Sequence, residues 1–158
     1  MRKLDSLPSR EAGFIEPMEC LAVSKLPAGW DWVYEIKLDG YRAFAINSNG
    51  KVNLYSRRRK SFNRQYQHVF DALRDLPANT VVDGEIVALD DAGRPNFSFL
   101  QDSRSQANRI RYFVFDLLVY DNRDLTSAAA DRTPRDFEIS NQVSVSAGPR
   151  GGIFRNLR

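Results

Sequence analysis

The sequence is poor in the residues on which many functional sites depend. Cys20 is the only cysteine and His68 the only histidine among 158 residues. One thiol excludes an intramolecular disulfide and a cysteine-based zinc site, and it fits a reducing compartment. One imidazole excludes a multi-histidine metal centre and leaves a Ser-His-Asp triad a single candidate, which QYQHVFDAL places on the solvent side of a helix. Long hydrophobic runs are missing too. The longest, YFVFDLLVY, is interrupted by Asp116, and MRKLDSLPSREAG at the start has no apolar core of the signal-peptide kind. No membrane or targeting segment is therefore expected. Neither charge sign dominates: 23 Lys and Arg face 20 Asp and Glu, a net +3 that permits a polyanionic partner without demanding one. What is present is globular in character, 42% hydrophobic and 27% charged, in a length that suits one domain with one core.

The order of patterns along the chain suggests an α+β fold. Residues 1–29 hold Pro8, Pro17 and Pro27 and no clear period, as expected of a strap laid over a core that begins near Trp30. VYEIKL at 33–38 alternates and predicts a strand with Glu35 and Lys37 on one face. Gly40 breaks that run, YRAFAI resumes it, and Asn49-Gly50 supplies a tight turn into VNLYS. Phe62, Tyr66, Val69, Phe70, Leu73 and Leu76 recur at three- and four-residue intervals and predict a helix that Pro77 closes. TVVDGEIVALD predicts the first strand of a second hairpin, with Asp83 and Glu85 on one face and a turn at Asp90 to Gly93. FSFLQDSRSQA reads as a short helix. IRYFVFDLLVYD reads as a buried strand with Arg111, Phe113, Phe115 and Leu117 on a shared side. Residues 127–158 lose the pattern and are expected to be divergent and loosely ordered.

Four segments stand in a fixed order: YEIKLDGYR at 34–42, SRRRK at 56–60, DGE at 83–85 and YFVFD at 112–116. A lone K-x-D-G is most often an edge strand with solvated charges, so the weight rests on the ordered set. That set resembles the adenylation domain of ATP-dependent DNA ligases, members of the covalent nucleotidyltransferase superfamily. Their elements are K-x-D-G-x-R, S-R-x-G, D-G-E and an aromatic-Asp pair. FIEPM at 14–18 and FDLLVYDNRDL at 115–125 are similar in style to the ligase domains of bacterial end-joining enzymes. The resemblance runs from residue 14 to about 126. It implies antiparallel β-sheets with flanking helices in a nucleotidyltransferase (ATP-grasp-like) adenylation domain.

The resemblance also implies roles. Lys37 would attack the α-phosphorus of ATP, expel pyrophosphate and hold AMP as a phosphoramidate. Arg42 and Arg57 would supply a positive field and bind ribose or phosphate oxygens. Glu35 would recognise the nucleotide, Phe115 would stack on adenine, and Glu85 would contact Mg²⁺ or ribose. Asp39 would orient the loop around Lys37, and Asp83 would be structural. The implied cofactors are ATP and Mg²⁺, and the implied setting is cytoplasmic. Nicked or broken double-stranded DNA is the implied partner, gripped through the basic run at 57–60, together with end-joining repair proteins or a further C-terminal ligase portion.

The chain departs from the family in two places. Arg59 stands where S-R-x-G has glycine, which is expected either to strain a tight turn or to enlarge the basic patch. Beyond Glu85 the only glutamate is Glu138, and no lysine follows Lys60, so these residues contain no match to the family's E-G-x-V and K-x-K elements, and the oligonucleotide-binding domain after them is expected to be missing too. The expectation is thus a strap at 1–29, a partial adenylation domain at 30–126 and a divergent tail at 127–158, as a fragment or a frameshifted remnant. Such a chain is expected to adenylate slowly, not to seal nicks alone, and to expose apolar surface on the 110–119 strand. The alternative is a catalytically inactive remnant that acts as a nucleic-acid or protein interaction module.

Overall fold

A computed structural model describes residues 4–19, 21–28, 32–33, 37–101, 107–126, 143–145 and 155–156. Asn49 and Gly50 both take positive φ, 52° and 83°, and so join strand β2 (Tyr41–Ser48) to β3 (Lys51–Ser56) in a two-residue hairpin. On its other edge β2 pairs antiparallel with β4 (Thr80–Ala88), and β4 pairs antiparallel with β5 (Ile110–Tyr120). Asp121 and Asn122, again both at positive φ, turn β5 back into the short β6 (Arg123–Asp124). The sheet order is β3-β2-β4-β5-β6, with β7 (Val143–Val145) parallel to β5. A separate two-stranded pair joins β1 (Trp32–Val33) to β8 (Arg155–Asn156). The α+β class read from the sequence is the one the chain adopts. The expectation for 127–158 lies outside the described residues except at β7 and β8.

Alternation gives the sheet two unlike faces. Ala43, Ala45, Leu54, Val82, Ile86, Tyr112 and Val114 form the larger core with Tyr66, Val69, Leu73, Leu76 and Leu100 from the helical segments. Phe44, Ile46, Val81 and Val119 line the other face, where Ala12, Phe14 and Ile15 of the N-terminal segment cover them. Tyr112 is fully buried and its hydroxyl donates to the Ala43 carbonyl at 2.8 Å, so burial adds a cross-strand bond instead of an orphan donor.

Four expectations change here. The helix predicted from Phe62 to Leu76 is helical only at α1 (Gln67–Ala72), followed by a 3-10 turn Leu73–Asp75. Its first turns are drawn onto β3 instead: Phe62 N–H donates to the Leu54 carbonyl and Asn63 Oδ1 accepts from Leu54 N–H, both at 2.8 Å. The second hairpin is also curtailed. The Asp90 to Gly93 turn forms, closed by one bridge between Leu89 and Pro95, but β4 spends both edges on β2 and β5, and α2 (Phe97–Gln101) follows. His68 is half-buried with Nε2 enclosed and without a hydrogen-bond partner among the described residues, not on the solvent side. Burial, and then Arg111, hold its pKa below the ordinary histidine value. Finally, Leu117 joins Tyr112 and Val114 in the core, opposite Phe115, because the β4–β5 register slips between Asp83 and Gly84 and a β-bulge at 115–116 reverses the alternation.

Candidate active site

The β2–β4 pairing is regular from Tyr41↔Ile86 to Asn47↔Thr80, so strict alternation places Asp83 and Glu85 on one face of β4. Arg42 lies opposite Glu85 in this register. Its guanidinium reaches diagonally to Asp83, with Nε 3.2 Å from both carboxylate oxygens and Nη2 2.7 Å from Oδ2. Asp83 is 2% exposed, and this forked pair is what makes a buried carboxylate tolerable. The same guanidinium sits 5.9 Å from the centre of the Phe115 ring and donates through Nη1 to the Met18 carbonyl at 2.7 Å. Arg42, Asp83, Glu85 and Phe115, from three adjacent strands, thus share one surface.

Gly40 brings the lysine loop to that surface. A Cβ at Gly40 would collide with the Ile86 carbonyl and lie 2.9 Å from Glu85 Cγ, so only glycine lets residues 37–40 cross this close to β4. Lys37 and Asp39 are both exposed and lie within electrostatic reach of Glu85. Burial pushes the Glu85 carboxyl up to about 7; Arg42 pulls it down, Asp83 raises it, Lys37 lowers it and Asp39 raises it in decreasing measure. A half-buried carboxyl poised near neutrality beside an exposed amine is a feature of sites that handle protons or cations.

The basic turn stands at the same end of the sheet. Ser56 pairs with Ala43, so the chain leaves β3 level with Arg42. Ser56 Oγ then accepts from Arg58 N–H and Lys60 N–H, which fixes the turn. Arg57, Arg58 and Arg59 form one wall of a cleft of about 490 Å³ whose other wall is Glu16, Pro17 and Glu19.

The structure therefore gathers Lys37, Arg42, Glu85 and Phe115 and puts Arg57 in the neighbouring cleft. Glu35 lies outside the described residues. Of the strand expected over 33–38, Val33 lies in β1, Lys37 and Leu38 have no regular structure, and 34–36 lie outside the described residues. No local pattern signalled the Met18 carbonyl as a partner of Arg42 or Glu16 as part of the cleft wall; FIEPM was visible, but not what it touches. No three His, Cys, Asp or Glu side chains cluster as a metal site among the described residues. One carboxylate, Glu85, fits Mg²⁺ nonetheless, since that ion takes one or two carboxylates and completes its shell with phosphate oxygens and water.

Comparison with known proteins gives the family. The family described as ATP dependent DNA ligase domain matches residues 20–135. This chain belongs to that family. Among relatives, it is 35% identical over 121 residues to the multifunctional non-homologous end joining protein LigD of Pseudomonas aeruginosa, covering 75% of the chain and 14% of LigD. With LigD of Mycobacterium tuberculosis the identity is 39% over 117 residues, 73% of the chain and 15% of the relative. Among solved structures, the ligase domain of M. tuberculosis LigD superposes with a TM-score of 0.55 at 36% identity. A mycobacterial DNA ligase D complexed with ATP and MES does so at 0.56 and 36%. Each superposition covers 64% of this ligase-family chain and 34% of the solved one. The chain therefore spans about a seventh of the LigD proteins and a third of the solved ligase chains.

Proposed function

We propose that this chain carries the lysine-adenylation chemistry of an ATP-dependent DNA ligase, with Lys37 as the nucleophile. The observation that carries the reading is the Lys37–Asp39 loop, held over Glu85 by the close approach of Gly40, on a sheet surface organised by the Arg42–Asp83 pair. Lys37 Nζ forms a bond to the α-phosphorus of ATP, the bond from that phosphorus to the bridging oxygen breaks, and pyrophosphate leaves with the electron pair. The amine gives up its proton in the process. Arg42, already anchored by Asp83, offers a fixed cation to phosphate or ribose oxygens, and Arg57 a second one from the cleft. Phe115 and, outside the described residues, Glu35 are assigned to adenine and nucleotide recognition. Mg²⁺ held by Glu85 would neutralise charge on the phosphates. The AMP is then passed to a DNA 5′-phosphate, with the Arg57–Lys60 turn contacting the backbone of nicked or broken duplex DNA in a cytoplasmic end-joining setting. In this reading residues 1–29 are a strap, 30–126 the adenylation portion and 127–158 a divergent tail.

The test is incubation with α-labelled ATP and Mg²⁺. Label should stay on the wild-type protein and vanish from Lys37→Ala; absence of label from both would favour an interaction module without catalysis. Nick sealing by the 158-residue chain alone is not expected, because it spans 34% of each solved ligase chain and has no lysine beyond Lys60 to aim at the later phosphoryl steps.

A further inference from the structure

The turn after β3 holds a residue in a backbone conformation that its side chain disfavours. Among the described residues five non-glycine positions have positive φ, and four are Asn or Asp, whose short polar side chains tolerate it. The fifth is Arg59, at φ 57°. A bulky residue retained there is held by what its side chain does.

Arg59 reaches back over the N-terminal segment. Its guanidinium lies 4.5 Å above the centre of the Phe14 ring, and Nη2 is 3.7 Å from Glu16 Oε1. Phe14 in turn packs on Phe44 and Tyr55 at 5.4 and 6.4 Å, so its ring is clamped between the sheet and a cation. Two residues beyond Glu16, the Met18 carbonyl is held by Arg42. Residues 14–18 are thus pinned by two arginines, and Glu16 and Pro17 between the pins, with Glu19 just after them, form the acidic wall of the cleft that Arg57, Arg58 and Arg59 face. Such a cleft cannot take an anion unchanged: the phosphate that the arginines attract is repelled by Glu16 and Glu19. The Arg59–Glu16 pair is also exposed on both sides, 61% and 78%, hence weak and exchangeable, whereas phosphate oxygens offer a guanidinium a forked partner.

We infer that Arg59 is a latch: it holds residues 14–18 on the sheet until a phosphate-bearing ligand enters the cleft, displaces Glu16 from Arg59 and loosens the strap. The consequence that loosening also takes the Met18 carbonyl from Arg42, and so alters the nucleotide surface, rests on the proposed function; the latch itself does not.

Cys20, the sole cysteine, lies two residues after Met18 in the sequence, and the mobility of a nitroxide attached to it would report on the strap. At constant ionic strength, nicked duplex DNA or pyrophosphate should raise the mobile fraction about twofold to fivefold, the population change that an exposed ion pair supports. Response to both assigns the site to phosphate generally, and response to the duplex alone assigns it to the nucleic-acid backbone. Glu16→Gln and Arg59→Gly should each be mobile without ligand and respond no further. Raising sodium chloride should mobilise the wild type but not Glu16→Gln. Unchanged mobility in both variants, or a strap that tightens when ligand is added, would overturn the latch. The response should persist in Lys37→Ala, so failure of the latch and failure of adenylation are read separately.

Discussion

At Glu85 the fold holds a carboxyl near its tipping point. Its folded pKa is raised to about 7 from an ordinary 4.5, chiefly by burial, so the folded state prefers the neutral acid. The sign follows: the fold binds this proton more tightly than the unfolded chain does, and stability declines as pH rises from about 4.5 through about 7. Glu85→Gln should therefore melt higher than wild type at pH 8 and level with it near pH 4.5, a gap that thermal melts across this range would reveal. If Glu85 holds Mg²⁺, which needs the carboxylate, Mg²⁺-dependent labelling of Lys37 should rise with pH through about 7 and lose that step in Glu85→Gln. Arg59 offers a second test at this scale. Arg59→Ala keeps the left-handed strain and loses the Phe14 contact, whereas Arg59→Gly loses the contact and the strain together. Urea titration should find the glycine variant more stable than the alanine variant by about 1 kcal/mol.

Among the elements, β4 and β5 do most to position the surface chemistry. A Cβ on Gly84 would collide with the Phe113 carbonyl and lie 2.6 Å from the Tyr112 ring, so β5 packs against β4 at this point only because the side chain is missing. Gly84→Ala should cost about 2–3 kcal/mol in urea melts, as overpacking does, and should displace Phe115 together with β5. Tyr112→Phe removes the buried 2.8 Å bond to the Ala43 carbonyl; a loss of about 1 kcal/mol is expected from the same measurement. Both changes lie on the core side of the sheet, yet through β4 they act on the surface that carries Asp83 and Glu85.

For the molecule as a whole, the apolar surface left in water is not where the sequence placed it. Ile110, Tyr112, Val114 and Leu117 of β5 are buried on the face that the helical segments cover, and Val119 on the other face under the N-terminal segment. The exposed large apolar side chains among the described residues are Met18, Leu21, Val23 and Leu26, with Leu21 at 90%. Apolar groups gathered on one short segment favour association at high concentration. Sedimentation should show concentration-dependent self-association that Leu21→Ser with Val23→Ser reduces, while the melting temperature stays unchanged because neither side chain is packed.

Local chemistry was enough to read much of this molecule. Asn49-Gly50 dictated its hairpin because few other pairs accept positive φ twice, and alternation in TVVDGEIVALD put Asp83 and Glu85 on one face because β4 carries no bulge against β2. The ordered motifs named the family, and with it Lys37, Arg42, Glu85 and Phe115 as the residues to examine. Tertiary structure decided what periodicity cannot encode. The bulges in β5 arise from how two strands fit together, and they moved Leu117 into the core. The helix after β3 was shortened by hydrogen bonds to Leu54, which compete with helical ones only when β3 is alongside. The contacts of the strap with Arg42 and Arg59 join residues 24 and 43 positions apart in the chain, and no local pattern signals a pairing that packing alone creates.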